Sequence, residues 1–447
     1  MGRSKGEIQM TFIWLWTDFL LWLLFALSIY AVIKIRQNDL LLQKWKIIFS
    51  QPLALSAFIV FSFYILIGLT DSLHFRFNND TTTYSVLDRV LLPALEADER
   101  TYSTPLNYEQ FSKEYLDSGL RGRAHLNLVS AQISTPGENY SQIFSLSIQA
   151  LIYSIFSIFL LVFFSKKILS INPNTKTNRV AFVTLFGVIF FCIWAILMMP
   201  NYHILGTDKA GIDVFYKAIK SVRTGMIFGL LTTILALPPA IVLGLMAGYF
   251  KGKTDDVIQY IYTTISAIPG ILLIAALVLI LQVYMDEHAS DYASSLERSD
   301  LKLLLLCVIL ALTSWTGLCR LIRAETLKLS ELEFVQAAKV FGVSNIKILF
   351  NHLMPNVMHL VLISIVLDFS GLVLIEAVLS YVGVGVDATT MSWGNMINAA
   401  RLEISTDPVV WWPLASSFIF MFILVLSANL FADRVRQVFD PKGDTDA

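Results

Sequence analysis

The residues of this sequence that could do chemistry include two acids inside a long apolar run, Asp368 and Glu376. Insertion scales put the cost of a charged side chain there at roughly 2.5 to 3.5 kcal/mol. The two acids could line a path for a solute or pair with a neighbouring helix, and Glu376 could lie near the outer interface. Eight residues turn a helix by about 80°, so one face need not hold both. Asp18 lies near the end of another apolar run, where we expect its side chain to snorkel to the interface.

Other motifs do not indicate an enzyme. The segment AGYFKGKT at 247–254 fits a relaxed phosphate-loop pattern. A phosphate loop, however, follows a buried strand and opens a helix in an α/β domain, whereas this segment joins two apolar runs. The histidines are scattered, with only His352 and His359 within two turns of each other, and the cysteines lack the spacing of a disulfide or zinc site. We therefore predict no catalytic residue, no metal site and no cofactor bound by this chain.

The elements that must position these residues are membrane helices. The chain has 447 residues, of which 56% are hydrophobic and 15% charged, against about a quarter charged in soluble proteins. Its 33 basic and 34 acidic residues nearly balance, which does not favour nucleic acid as a partner. A spanning helix needs about 20 apolar residues. The sequence predicts an all-α polytopic membrane protein with about nine spans, at 11–33, 52–70, 147–165, 180–200, 222–249, 257–282, 301–322, 359–382 and 411–432.

The distribution of Lys and Arg predicts how these spans are oriented, because basic loops resist translocation. Basic residues cluster after the first, fifth, seventh and ninth runs and before the fourth. Alternating spans place all these clusters in the cytoplasm, and the polar stretch at about 71–146 outside as a small domain, as well as the N-terminus despite Arg3 and Lys5. We predict an extension at 1–175 with three spans and this extracytoplasmic domain, and a core at 176–447 with six spans.

The cytoplasmic loop at about 323–358, called here the 323–358 loop, is predicted to contain two short helices around a glycine. Gly342 can adopt the positive φ that ends the first helix. Ser344 or Asn345 then caps the second helix, and Pro355 marks the start of the next span. A short docked helix moves as a body, so the loop could transmit motion. The residues on which this prediction rests are Glu333, Gln336, Ala337, Ala338, Gly342, Ser344, Asn345 and Pro355.

Several segments of the sequence, including this loop, resemble motifs of a known family. QAA at 336–338, followed after three residues by Gly342, resembles the Glu-Ala-Ala coupling loop of ABC importer permeases, and FNHLMPN at 350–356 is similar to its end in the peptide and nickel branch. LGTDKAGIDV at 205–214 is similar to the branch's outer-loop signature. EAVLSYVGVG at 376–385 and SWGNM at 392–396 are similar to its sixth-helix region, and FDP at 439–441 also fits. Gln336 replaces the motif's glutamate, although Glu333 lies one turn earlier, and Ile212 replaces an arginine.

The resemblance, over about 180–442, implies a type I ABC importer permease core, the second permease subunit of a dipeptide, oligopeptide or nickel system. It implies a multi-pass protein of the bacterial inner membrane in contact with lipid. The implied partners are a second homologous permease subunit, two cytoplasmic ATPase subunits that bind ATP and Mg²⁺, and an extracytoplasmic substrate-binding protein. Peptide import is the expected function, with nickel or antimicrobial peptides as alternative substrates.

Two further alternatives concern the function itself. An ion-coupled secondary transporter or channel would use Asp368 and Glu376 for protons or ions. Alternatively, the extension at 1–175 is a sensor or docking domain fused to a permease.

Overall fold

A computed structural model of the chain describes residues 10–77, 83–96, 99–115, 121–130, 133, 135–169, 175–292, 294–406 and 408–439, and helices dominate these ranges. The helices are α1 (Trp16–Arg36), α2 (Asp39–Ser50), α3 (Pro52–Asp71), α4 (Val86–Val90), α5 (Leu92–Glu96), α6 (Pro136–Leu169), α7 (Lys176–Met198), α8 (Val214–Phe250), α9 (Gly252–Ala267), α10 (Gly270–Glu287), α11 (Ser295–Leu329), α12 (Glu333–Val340), α13 (Asn345–Lys347), α14 (Met354–Val382), α15 (Trp393–Glu403) and α16 (Trp412–Phe439). A 3₁₀ turn, Ala289–Asp291, and a π-helix, Ile348–Leu353, complete the helical elements.

Nine helical stretches in the described ranges are long and apolar enough to cross a membrane. They are α1, α3, α6, α7, α8, α10, α11, the stretch Asn345–Val382 and α16. The predicted all-α polytopic class is therefore confirmed. The last two residues of the FDP motif at 439–441 lie outside the described residues. Arg3 and Lys5 also lie outside them.

Two predicted spans have different bounds in the structure. Residues 11–13 do not belong to the first span, because strand β1 (Met10–Ile13) precedes α1. The sixth predicted span, 257–282, is divided into α9 and α10. Ile268 between them is extended, at φ −84° and ψ 132°. The reason is Pro269, which disfavours helical backbone in the residue before it.

The described residues form two compact units. Unit 1 comprises the described residues up to Gly225 together with Thr390–Phe431. In it α7 packs against α3 and α6. The three-stranded antiparallel sheet has the order β1, β2 (His74–Phe77), β3 (Tyr84–Ser85), with Phe12 opposite Phe75. A second antiparallel pair joins β4 (Glu114–Tyr115) to β5 (Arg121–Gly122).

Helix α6 begins before the apolar run that predicts its span. The backbone N–H of Thr135 donates to Glu138 Oε2 at 3.1 Å, and the N–H of Glu138 donates to Thr135 Oγ1 at 3.4 Å. This reciprocal pair is a capping box, which satisfies backbone donors that a helix leaves open at its start. Pro136 follows as the first helical residue, where its missing N–H costs nothing. The described non-helical chain of this region therefore ends at Thr135.

Unit 2 comprises Met226–Thr389 with the described residues from Ala432 onward. Its core brings the second half of α8 against α11. A Cβ atom added to Gly244 would lie 2.9 Å from Ile322 Cβ, and one added to Gly248 would lie 2.6 Å from Thr326 Cβ. Two glycines four residues apart face the same side of a helix and let two backbones approach closely, as in small-xxx-small packing. The C-terminal ends of α8, at Gly248, and of α11, at Thr326, are therefore in direct contact.

Candidate functional site

The 323–358 loop begins with helix α12, which follows α11 after a short turn. Val335 is 0% and Ala338 8% exposed, and both belong to the apolar core of unit 2. Glu333 at the start of α12 and Ala337 are exposed. An acidic residue in the first turn is favoured by the helix dipole. α12 is thus held against unit 2 by one face and leaves the other face open.

Gly342 ends α12 through a left-handed backbone. Its φ is +72°. The N–H of Val343 donates to the carbonyl of Ala338, and that of Gly342 to the carbonyl of Lys339, each at 3.0 Å. This pair of hydrogen bonds is the Schellman motif. A Cβ atom at position 342 would meet nothing within 4 Å, so conformation, not space, favours glycine, as predicted.

The second half of the loop differs in detail from the predicted cap. Ser344 occupies the N-cap position of α13 but makes no side-chain capping hydrogen bond. The side-chain oxygen of Asn345, Oδ1, accepts a hydrogen bond of 2.9 Å from the hydroxyl of Tyr249 on α8. The chain then continues through the π-helix into α14, which has Pro355 in its first turn. Asn345 therefore fastens the loop to α8 and does not cap α13.

Gln336 has an internal partner. Its side-chain Nε2 donates to the carbonyl of Ser330 at 2.8 Å. Ser330 is the C-cap residue of α11, at the end of a helix where carbonyls lack intrahelical partners. An ionised glutamate has no proton to donate there. The departure from the Glu-Ala-Ala motif thus gives α11 a cap that ties α12 to it.

The outward face of this loop is apolar. Phe341 is 84% and Val340 86% exposed, at the end of α12. Phe334 on α12 and Ile346 on α13 are exposed as well. Large apolar side chains presented together mark a contact surface for another protein or for lipid.

The two acids of α14 are not brought together by the structure. Glu376 is buried and accepts a hydrogen bond from Ser380 Oγ at 3.0 Å. Asp368 is partly buried, and the described part of the chain offers it no hydrogen-bond or ion-pair partner. Glu376 therefore has a hydrogen-bond partner on its own helix, whereas Asp368 has none among the described residues, and the prediction that either acid lines a pathway remains a prediction.

Asp18 is not a snorkelling residue, which corrects the expectation from the sequence. It is 0% exposed, and Arg223 on α8 donates to its Oδ1 from Nε at 2.9 Å and from Nη2 at 2.6 Å. His74 Nδ1 lies 2.8 Å from its other oxygen. A buried charge requires a partner of opposite charge. Arg223, at the start of the predicted fifth span at 222–249, was a signal that such a partner exists.

A second buried cluster lies one turn away on α8. Lys220 Nζ is 2.7 Å from Asp88 Oδ1 and 3.2 Å from Asp71 Oδ1. The hydroxyl of Tyr216 also donates to Asp88 Oδ1, at 2.9 Å. Burial alone would raise the pKa of Asp88, but Lys220 and these hydrogen bonds hold that pKa below its usual value. Residues of the extension at 1–175 thus neutralise two cations of α8, an arrangement missed at the level of sequence.

The outer-loop signature at 205–214 also contacts the extension. His203 Nδ1 lies 2.7 Å from Asp213 Oδ2, and its Nε2 lies 3.5 Å from Glu99 Oε1. All three side chains are buried. Burial opposes a charge on His203, but the two carboxylates outweigh it and raise the pKa of His203 to about 9. The imidazole of His203 is therefore a cation at neutral pH.

Signature glycines and small polar residues shape the turns around these contacts. Gly211 has φ +76°, and a Cβ atom there would lie 1.9 Å from the carbonyl oxygen of Glu99. In the sixth-helix region, Gly383 ends α14 at φ +86°. Ser392 caps α15 by accepting from the N–H of Asn395 at 3.0 Å. These positions therefore set backbone geometry.

Comparison with known proteins shows the family of the chain. Residues 240–443 match the family described as binding-protein-dependent transport system inner membrane component. The dipeptide transport system permease protein DppC of Alkalihalophilus pseudofirmus is 31% identical over 240 residues, which are 54% of this chain and 72% of that protein. This chain belongs to that family of transport permeases.

Two other relatives agree with this assignment. The oligopeptide transport system permease protein OppC of Haemophilus influenzae is 28% identical over 244 residues, 55% of this chain and 72% of that protein. The glutathione transport system permease protein GsiD of Pectobacterium atrosepticum is 29% identical over 273 residues, 57% of this chain and 83% of that protein.

The permease is a transport component and not an enzyme, and it is a multi-pass membrane protein. The matched range contains the 323–358 loop, Asp368 and Glu376, whereas the extension at 1–175 precedes it. Among the residues that the structure describes, no three His, Cys, Asp or Glu side chains are grouped so that they could hold a metal ion.

Proposed function

We propose that the permease is a membrane subunit of an ATP-driven importer of peptides. Relatives that match it are named as oligopeptide and dipeptide permeases. It would form the pathway with a second homologous permease subunit in a bacterial inner membrane. An extracytoplasmic binding protein would deliver the peptide. Two cytoplasmic ATPase subunits would hold ATP and Mg²⁺, and this chain would bind neither.

The observation that carries the coupling role is the two-sided character of the 323–358 loop. Val335 and Ala338 anchor α12 in the core of unit 2, while Phe341 and its apolar neighbours face outward. An exposed apolar patch on a rigid, anchored helix gives a partner both a surface to bind and a body to move. The loop is therefore the ATPase-contacting coupling loop of the proposed importer.

The proposed contact residues follow from this geometry. Glu333 and Ala337 lie on the exposed side of α12. Gln336, Gly342 and Asn345 fix the loop's shape through the contacts described above. Because the amide of Gln336 is engaged with Ser330, Glu333 is the residue that offers the ATPase a carboxylate in this helix.

In the membrane, Asp368 is the acid that we assign to the pathway. It is partly buried and has no partner among the described residues, and a charge at such a position is retained where it meets a solute, water or another subunit. Membership of a binding-protein-dependent transport family does not favour the ion-coupled alternative, and the relatives named above do not favour nickel.

The test uses the complete complex in proteoliposomes, with labelled dipeptides and tripeptides outside and ATP supplied to the ATPase side. We expect uptake that requires ATP and the binding protein. Uptake that persists without ATPase subunits and follows a pH gradient would overturn the proposal.

A matched pair of variants tests the contact surface itself. Phe341→Asp places a charge in the proposed ATPase contact, where it should reduce complex formation and uptake by about tenfold or more, as for a hot-spot residue. Leu40→Asp places the same charge at an exposed apolar position on α2, also predicted to be cytoplasmic, and should leave both unchanged. Equal binding of the ATPase by both variants would exclude Phe341 from the contact.

A further inference from the structure

Tyr249, in the last turn of α8, contacts both helices of the 323–358 loop. It is 7% exposed. Its hydroxyl donates to Asn345 Oδ1 on α13 at 2.9 Å, and the Nζ atom of Lys339 on α12 lies 4.8 Å from the centre of its ring. One side chain of a spanning helix is thus joined to the loop on both sides of Gly342.

The part of α8 that carries Tyr249 is itself fixed to α11. Gly248, the residue before it, lies against Thr326 with no room for a Cβ atom. Four residues beyond Thr326, the carbonyl of Ser330 accepts the hydrogen bond from Gln336. α8 and α11 therefore hold the loop from two sides while they contact each other directly.

We propose that Tyr249 is a positioning residue that joins the loop to α8, so that displacement of the loop moves α8 and α11 together. This inference rests on the proposed function, because it assigns a route for motion that starts at the ATPase. A hydrogen bond is directional and short, so the Tyr249 hydroxyl transmits a shift of α13 to α8 where an apolar contact would allow sliding.

The hydroxyl is the part of Tyr249 to test. Tyr249→Phe keeps the ring beside Lys339 but removes the donor to Asn345. In the reconstituted complex we expect peptide imported per ATP hydrolysed to fall about threefold to tenfold, the factor that corresponds to one lost hydrogen bond. The rate of ATP hydrolysis should not fall with it, because the outward face of the loop is unchanged.

Tyr260→Phe is the matched control. Tyr260 is exposed on α9, and its hydroxyl has no partner among the described residues. This variant should import as much peptide per ATP hydrolysed as the unaltered protein does. A fall in the amount of inserted protein with an unchanged ratio for Tyr249→Phe would show a merely structural role and overturn the inference.

A double-variant comparison separates the hydrogen bond from other effects. Because Tyr249→Phe and Asn345→Ala remove the same bond, the double variant should lower the ratio no further than the stronger single variant. If the two substitutions instead lowered the ratio independently, so that the double variant showed the product of the two single effects, the inference would be overturned. Absence of ATP-driven uptake by the unaltered complex would instead refute the proposed function beneath it.

Discussion

The buried pair of Asp18 and Arg223 gives a sharp prediction for Asp18→Asn. The substitution keeps the shape of the side chain but removes its negative charge. The buried guanidinium of Arg223 then lacks the carboxylate that balances its positive charge. Removal of one partner from a buried ion pair costs about 3 to 5 kcal/mol. We expect a loss at the lower end of this range, about 3 kcal/mol. The reason is that Arg223 Nη2 also donates a hydrogen bond to Thr17 Oγ1 at 2.9 Å, and the variant keeps this bond.

The assay is resistance of the detergent-solubilised permease to heat-induced aggregation. The double variant Asp18→Leu with Arg223→Met removes both charges, and it should recover most of the loss because apolar pairs often replace buried ion pairs at little cost. Asp286→Asn is the control, since its ion pair with Arg298 is exposed and is worth about 1 kcal/mol or less. An Asp18→Asn variant as stable as this control, or a double variant worse than both single variants, would refute the reasoning.

Two further predictions concern the loop and the outer signature. Gly342→Ala should lower peptide uptake per ATP, because a left-handed backbone costs about 1 to 2 kcal/mol for a residue with a Cβ atom; Gly317→Ala, inside α11 with equally open space, should not, and an equal effect of both variants would contradict the role of φ. For His203, whose folded pKa is raised to about 9 from about 6.5 in an unfolded chain, stabilisation is fully present below pH 6.5 and is lost as pH rises to about 9. The free energy of unfolding should therefore fall by about 3 kcal/mol across this interval, and thermal denaturation at a series of pH values should show a smaller fall for His203→Gln. Identical pH profiles of the two proteins would contradict this role of His203.

Spans and the glycine that ends α12 could be predicted from the sequence because both depend on local chemistry. Apolar length alone indicates a spanning helix, and a glycine after a run of helix formers indicates a C-terminal cap. The division between α9 and α10 at Pro269 is also a local signal, because a proline disfavours helical backbone in the residue before it, although the predicted span at 257–282 runs across this position. Likewise, the apolar residues of β1 could not be distinguished from the start of α1, because a short apolar run fits strand or helix.

Contacts between distant parts of the chain could not be predicted in the same way. Tyr249 and Asn345 are 96 residues apart, and Asp18 and Arg223 are 205 apart. No periodicity specifies such a pair. A partial signal did exist, since Lys217, Lys220 and Arg223 recur at intervals of three and share one face of a helix. Three cations on one face near the end of a span require anions, and the extension contributes several of these.

The structure also changes what the departure at Gln336 implies. With glutamate at this position, a carboxylate would lie beside the carbonyl of Ser330, whereas the amide donates to it. The residue thus serves the internal attachment of the loop, and the outward contact falls to Glu333 and the apolar face around Phe341. On the proposed mechanism, a force applied at Phe341 reaches α11 through Gln336 and α8 through Tyr249. Because Gly244 and Gly248 hold those two helices in close contact, they should respond as one body, and the sequence change at 336 strengthens this connection without removing the surface that receives the force.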